Sequence, residues 1–487
     1  MTDDLTALAA DAYVYGYPLV CNLDEIESLS AKGLGAVPPA PYNTFGHARE
    51  LADPCMRFVS INNDTLYSMA PLDLSGGPLL LHVPDTDGAY YVLQFIDAWT
   101  DNVAYVGRRA TGTGEGTYLV TGPGWTGAAP EGVPVIAMPT AVGAVVGRNA
   151  CAGPDDLARV EAIQRRLTLT PTGTGHRLAG LPAPDPDVPA ELLFWEKLRV
   201  RLAANPPAAD DLAHQRRFKP LGLLSAGPSP YADPDDRLAA ALAAGAARGG
   251  QHVDQLSRTP FAAPVDGWVV DPHGFDYNRH FFGIGTLDSP QWKISDPHRA
   301  YELRAAAARA GLWGNHGYEA VYAMTYTDGG GQPLDGTRAY RLRFTAPPPV
   351  EAFWSVTMYD LPDFYLVGNP IGRYSIGDRT PGLTWGDDDS LTIALQPDRP
   401  AGDLSANWLP TPPGPFRPVL RMYQPRPEIL DGTYRIPPHH PRLTLHHRPA
   451  ARAGVGAVSG KVQESWPAVS VGCCNEVWIL EDRIHAR

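Results

Sequence analysis

The sequence predicts an α+β, multidomain protein with a β-rich N-terminal domain, a helical connector and a β-rich C-terminal domain. Three observations carry this reading. At 487 residues the chain exceeds what one small core organises, so two or three domains are expected. Its 50 prolines and 49 glycines call for many turns and short elements. Helical periodicity is confined to the first residues, to about 153–250 and to about 297–310, whereas β-branched and aromatic runs fill the remainder.

Taken in order, Asp3 or Asp4 caps an opening helix in which Leu5, Leu8, Ala9 and Ala12 share a face, expected to reach about Tyr15 before Pro18. Between 79 and 99, two apolar runs flank Asp85-Thr86-Asp87-Gly88, which reads as a hairpin. Further strands are expected at 117–121 and 133–138, and helices at 155–167, 189–203 and 234–248. The alanine-rich stretch 238–247 suits close helix packing. A helix at 297–310 precedes a strand at 318–326, and β signals then dominate from 340 to 393. In 347–360 the prolines deliver an extended chain, after which Phe353, Ser355, Thr357 and Tyr359 alternate with Trp354, Val356 and Met358. One face is therefore apolar and the other able to hydrogen-bond. No internal repeat is evident. The expected divisions are 1–150, a mainly helical 151–315, a second β domain at 316–440 and an extension at 441–487.

Composition narrows the functional classes. A hydrophobic content of 44% with 19% charged residues excludes wholesale disorder. The formal net charge of -13 argues against nucleic-acid or anionic-membrane partners, although local arginine clusters can still hold a small anion. The acidic start Met1-Thr2-Asp3-Asp4 and the lack of an 18-residue apolar run lead us to expect a soluble cytoplasmic protein. Five cysteines cannot form a disulfide framework, and the adjacent Cys473-Cys474 pair reads as structural. Gly112-Thr113-Gly114-Glu115-Gly116 precedes a strand and reads as a turn, not a nucleotide loop, and Ser225 lacks the first glycine of a nucleophile elbow. His439, His440, His446 and His447 read as a Pro/His-rich tail, since zinc and calcium spacings are missing. We therefore expect no cofactor and no bound metal; a small-molecule substrate is the expected partner, and a homo-oligomer is left open.

Two blocks of motifs resemble a known family pair. The first comprises Tyr15-Gly16-Tyr17-Pro18, Asn62-Asn63-Asp64-Thr65-Leu66-Tyr67-Ser68, Leu74-Ser75-Gly76-Gly77-Pro78, the run from Phe95 to Asn102 and Gly107-Arg108-Arg109. It is similar to DUF1254. The second, about 318–437, includes Phe353-Trp354-Ser355, Asn369-Pro370-Ile371-Gly372-Arg373-Tyr374-Ser375 and Asn407-Trp408-Leu409-Pro410, and is similar to DUF1214. The resemblance implies a two-domain protein whose C-terminal part is an antiparallel, jelly-roll-like β-sandwich, with no assigned cleft. Where the family has a Tyr-then-Arg motif, this chain has Tyr277 and Arg279 followed by His280-Phe281-Phe282, bulky residues suited to a private apolar pocket.

Candidate site residues fall into three groups. Asn63, Asp64 and Tyr67 offer an amide, a carboxylate and a phenol within one turn; equally, Asp64 can serve the turn by accepting backbone N–H groups. Asp97, Trp99, Asp101 and Asn102 set an acid beside an aromatic wall, which raises a carboxyl pKa and suits a general acid, unless Asp97 pairs with Arg108. Tyr359 and Asp360 end a strand while Arg373 and Tyr374 lie in a returning loop, where Arg373 clamps an anion or neutralises Asp360. The expected function is an enzyme acting on a small or medium organic molecule by cofactor-independent acid–base chemistry (cyclisation, isomerisation, elimination or hydrolysis), in specialised metabolism. Asp64 or Asp97 would move the proton, Tyr67 and Tyr91 orient the substrate, and Arg108 or Arg373 stabilise negative charge. Its rivals are a non-catalytic ligand- or carbohydrate-binding sandwich and a metal-dependent enzyme using His280, His298 or His316.

Overall fold

A computed structural model describes residues 2–56, 60–173, 177–258 and 262–441. His446, His447 and Cys473-Cys474 lie outside the described residues. Helix α1 (Thr2–Ala31) leads into strands β1 (Gly46–His47), β2 (Thr65–Asp73), β3 (Leu79–Val83), β4 (Tyr91–Asp97), β5 (Asn102–Gly107), β6 (Gly116–Thr121), β7 (Val135–Ala137) and β8 (Val142–Ala150), then helix α2 (Leu157–Arg166) and β9 (Thr168–Pro171). The nine strands form a five-stranded sheet, β1-β2-β8-β4-β5, and a four-stranded sheet, β7-β6-β3-β9. Leu72, Leu81, Leu93, Phe95, Val106 and Val120 fill the space between them.

The expected hairpin at Asp85–Gly88 does not form. β3 pairs with β6 and β9, whereas β4 pairs with β5 and β8 in the opposite sheet. The turn chemistry is present, since Asp87 and Gly88 have φ of 52° and 75°. A turn fixes only the local change of direction, and burial of both apolar runs sends the two strands to different layers.

Four helices follow: α3 (Leu193–Ala204), α4 (Leu212–Arg216), α5 (Asp236–Arg258) and α6 (Pro297–Ala310). α1 packs against α3, α5 and α6 and covers β2 and β8. It runs past Pro18 instead of stopping there. Leu19, Leu23, Ile26 and Leu29, all fully buried, hold the continuation, so tertiary burial outweighs one proline's missing hydrogen bond. Gly245 of α5 lies so close to α1 that a Cβ there would come within 2.3 Å of the Ala9 Cβ, which explains the small residues of this stretch. Among the described residues no helix is long and apolar enough to cross a membrane.

The second half contains β10 (Trp268–Val270), β11 (Ala320–Thr325), β12 (Tyr340–Phe344), β13 (Val350–Asp360), β14 (Ser375–Gly377), β15 (Leu391–Gln396), β16 (Trp408–Pro410), β17 (Phe416–Pro425), the short helix α7 (Pro427–Leu430) and β18 (His439–Pro441). A five-stranded sheet, β10-β11-β17-β13-β14, faces a four-stranded one, β16-β15-β12-β18. Trp354, Val356 and Met358 enter the core between them, as the alternation of 353–359 requires. The sandwich is not wholly antiparallel, because β15 and β16 run parallel. β9 and β10, both within the span read as connector, belong to the sandwiches.

These two sheet orders are one order written twice: replacing each of β1–β9 by the strand nine places later converts the first sandwich into the second. The parallel pair β6 with β7 recurs as β15 with β16. Register agrees residue by residue. Tyr67 lies opposite Arg148 as Tyr322 lies opposite Arg421, and Val92 opposite Gly107 as Ser355 opposite Gly377. At both glycines an added Cβ would strike a carbonyl of the neighbouring strand, Tyr91 at 2.4 Å and Trp354 at 2.0 Å. The chain is therefore an internal structural duplication, correcting the expectation of no repeat.

Candidate functional site

β4 ends at Asp97 in a tight corner. The Asp97 Oδ1 accepts the backbone N–H groups of Trp99 (2.9 Å) and Asp101 (2.8 Å), and Thr100 takes a left-handed φ of 71°. β13 ends in the equivalent corner, where Asp360 Oδ1 accepts Tyr365 N–H at 2.7 Å and Phe364 has a φ of 61°. An aspartate that caps the returning loop is thus an architectural requirement met in both halves. What differs is the surroundings.

In the first half the corner is roofed by helices and carries more charge than its architecture needs. Asp97 is fully buried and its Oδ2 has no hydrogen-bond partner. Asp101, also buried, pairs with Arg304 of α6 at 2.8 Å. Arg304 is further held by the carbonyls of Trp99 and Tyr277 and stacks over the Tyr277 ring at 5.0 Å. One guanidinium thus faces two buried carboxyls. Desolvation, then repulsion from Asp101, pushes the Asp97 pKa well above the usual carboxylate range despite Arg304. Asp101 is raised by burial and pulled back by Arg304. Burial thus favours the protonated form of Asp97, while Asp101 is the member paired with Arg304.

Asp101 forms part of the wall of a narrow cleft with Tyr15, Trp99, Asp211, His280 and Tyr301. Its volume, about 10 Å³, admits a water-sized group. Asp97 lies behind Asp101. Across the cleft the Tyr301 hydroxyl donates to Asp211 Oδ1 at 2.6 Å, and His280 Nε2 lies 3.9 Å from Asp211 Oδ2. Tyr15 packs on Trp99 and on Tyr301 at 5.2 and 5.1 Å, and its buried hydroxyl has no partner. Tyr15 and Tyr301 also border an open groove of about 460 Å³ between α1, α5 and α6, lined by Asp11, Arg248, His252, His298 and Glu302. The groove has the volume of a small-molecule site, and Tyr15 and Tyr301 line both it and the cleft.

The other predicted residues fall elsewhere. Arg108 does not meet Asp97; its Nη1 donates to the Glu351 carbonyl (2.7 Å) and Gln424 (3.1 Å), tying the two halves together. Arg373 donates its Nη1 to the carbonyls of Ala406 and Trp408 and forms no ion pair with Asp360. Tyr91 points into the first sandwich core. Asn102 is a tie, accepting from Gln94 and donating to the Gly314 carbonyl. Tyr374 lends its carbonyl to Met358 N–H. The Asn63–Tyr67 turn and β13 do border one seam between the sandwiches: Ser355 donates to Asp64 Oδ2 at 2.6 Å, Ser375 to Asn63 Oδ1 at 3.3 Å and Tyr359 to the Ile61 carbonyl at 2.7 Å. Asp360 serves its own corner instead. His316 is buried, with its Nδ1 at hydrogen-bond distance from the Tyr105 and Tyr318 hydroxyls (3.0 and 2.9 Å), and its pKa is lowered to about 3 by desolvation. Among the described residues no group of three or more His, Cys, Asp or Glu is placed to hold a metal.

Sequence reasoning missed Arg304, Asp211 and Tyr301, which come from helical segments remote in the chain. Tyr15 and His280 were visible, one in a family motif and the other as a departure from it.

Among the described residues, two fused nine-stranded sandwiches, the first covered by a helical layer with a buried acid pair beneath it, define the class of molecule. Residues 42–171 match the family described as "Protein of unknown function (DUF1254)" and residues 319–427 that described as "Protein of unknown function (DUF1214)", so the chain belongs to the paired DUF1254/DUF1214 family. No curated protein matches its sequence. The solved structure of the VPA0106 protein from Vibrio parahaemolyticus is similar, with a TM-score of 0.67 at 24% identity over 89% of this chain and 99% of that one, and shares the fold. An uncharacterized protein from Burkholderia cenocepacia aligns with a TM-score of 0.39 at 14% identity over 88% of this chain and 87% of that one.

Proposed function

We propose that the protein is an enzyme that performs cofactor-independent acid–base chemistry on a small organic molecule, in the cleft at the Asp97–Asp101 corner. The observation that carries this is the excess of buried polar groups there. Asp97 Oδ2, Tyr15 Oη and His280 Nε2 are buried without hydrogen-bond partners, and Tyr15 and His280 line the cleft together with Asp101. A fold that only needed a capped corner would not bear these costs, as the plain Asp360 corner illustrates.

In this reading Asp101 faces the substrate and Asp97 behind it is the proton reserve, with Arg304 holding the charge of whichever carboxyl is ionised. His280 and Asp211, on the opposite wall, form the second station, positioned to take a proton while the acid pair gives one. Trp99, Tyr15 and Tyr301 supply an apolar wall that excludes water. Of the two carboxylates singled out in the sequence, Asp97 keeps the proton-transfer role. Asp64 is engaged by Ser355 and Tyr423 hydroxyls at 2.6 and 3.5 Å and serves the seam.

The test is turnover in a metabolite extract followed by untargeted mass spectrometry. Wild type should consume at least one small molecule that Asp101→Asn, folded by circular dichroism, leaves untouched. A molecule retained by the protein but returned unchanged would establish binding without catalysis and defeat the proposal.

A further inference from the structure

We propose that the seam between the two sandwiches is a binding site for a small organic oxyanion, a carboxylate or phosphate, held between Arg148 and Arg421. This stands independently of the acid–base cleft. The two arginines occupy equivalent positions of the duplication, on β8 and β17. Each donates to the equivalent residue of the adjacent strand, Arg148 Nη1 to Gln94 Oε1 at 2.7 Å and Arg421 Nη1 to Thr357 Oγ1 at 3.0 Å. Both are nearly inaccessible, at 6% and 3% exposure.

Their remaining hydrogen-bond partners are neutral. Arg148 donates also to Asn315 Oδ1 and the Trp313 carbonyl, and Arg421 to the Ser60 carbonyl. Arg417, equally buried, donates to the Tyr326 and Ser60 hydroxyls. Glu319 is engaged by Arg109 at 2.5 Å, which leaves Asp64 as the acid that interacts with Arg421 through space. Among the described residues no carboxylate hydrogen-bonds or ion-pairs with Arg148 or Arg417, and Arg421 meets Asp64 only through space, in a chain whose overall charge is -13. Buried charge without a counter-ion is among the costliest arrangements a fold can keep, and a bound anion removes that cost.

The phenols around them do not supply the missing charge. Tyr90 and Tyr423 are held neutral by burial, with pKa values pushed well above the usual range. They remain hydrogen-bond donors. Tyr67 and Tyr322, equivalent residues in mid-sheet positions, stay only half-buried between fully buried neighbours, which leaves accessible surface beside the guanidiniums. Arg148 lies 5.5 Å over the Tyr67 ring, and Tyr322 is within electrostatic range of both Arg148 and Arg421. Planar forks flanked by phenols match the geometry of a carboxylate or phosphate.

The experiment titrates inorganic phosphate at constant ionic strength, read by thermal shift and by ³¹P line broadening. Wild type should bind saturably, and Arg148→Gln or Arg421→Gln should weaken binding by at least about tenfold, while Arg343→Gln on the surface should not. If an arginine variant fails to fold, Tyr322→Phe, which removes one donor and no packing, should weaken binding several-fold. No saturable response in wild type, or equal affinity in every folded seam variant, would overturn the proposal and leave an adventitious ion only.

Discussion

Replacing Asp97 with asparagine isolates the proton held in the corner. Asparagine keeps the carbonyl oxygen that caps Trp99 and Asp101 and puts an amide where the carboxylic O–H sits. In the unfolded chain Asp97 titrates near 3.8, whereas in the fold burial raises it well above that value. Above the unfolded value the folded state therefore binds the extra proton, and stability falls as pH rises until the folded group itself ionises. Each pH unit in that window costs about 1.4 kcal/mol, or roughly 3 kcal/mol between pH 5 and pH 7 for a group that stays protonated throughout. For a cooperative chain of this size, with an unfolding entropy of about 2.1 cal/mol/K per residue, that is roughly 3 °C in Tm. Thermal melts at pH 5, 6 and 7 should show wild type losing this amount relative to Asp97→Asn, which lacks the titration. Parallel pH dependences would refute a raised Asp97.

Two further substitutions probe the same physics. Arg304→Gln leaves Asp101 buried without its cation and should cost about 3–5 kcal/mol by denaturant titration, with a larger loss at higher pH; adding Asp101→Asn should recover part of it. Gly107→Ala and Gly377→Ala each drive a Cβ into a facing strand carbonyl and should each lower stability by about 1–3 kcal/mol, because the duplicated registers make the same demand; a neutral result at either would break the equivalence of the halves.

Several elements were readable from local pattern because local physics decides them. α6 occupies the span its periodicity and Pro297 indicate, and β13 presents the two faces its alternation describes. α1 was cut short because Pro18 signals a stop, whereas the burial that overrides it involves helices far along the chain. The duplication was hidden for a related reason. Equivalent positions keep Tyr67 and Tyr322, Arg148 and Arg421, and the paired glycines and corner aspartates, but Gln94 has become Thr357 and Asp64 has become Glu319. Strand order conserves geometry, not side chains. In the cleft, Asp97 and Trp99 stood out beside each other in sequence, but the groups that set their chemistry, Arg304, Asp211 and His280, arrive only through packing of the helical layer.

The raised pKa of the buried Asp97 carboxyl, caused by desolvation and by Asp101, underlies the proposed acid–base role. Infrared difference spectroscopy of wild type against Asp97→Asn at pH 7 measures it directly. A carbonyl band of a protonated carboxyl group, present in wild type, missing from the variant and lost only at alkaline pH, is the expected result. A spectrum in which Asp97 contributes only carboxylate bands at pH 7 would contradict it.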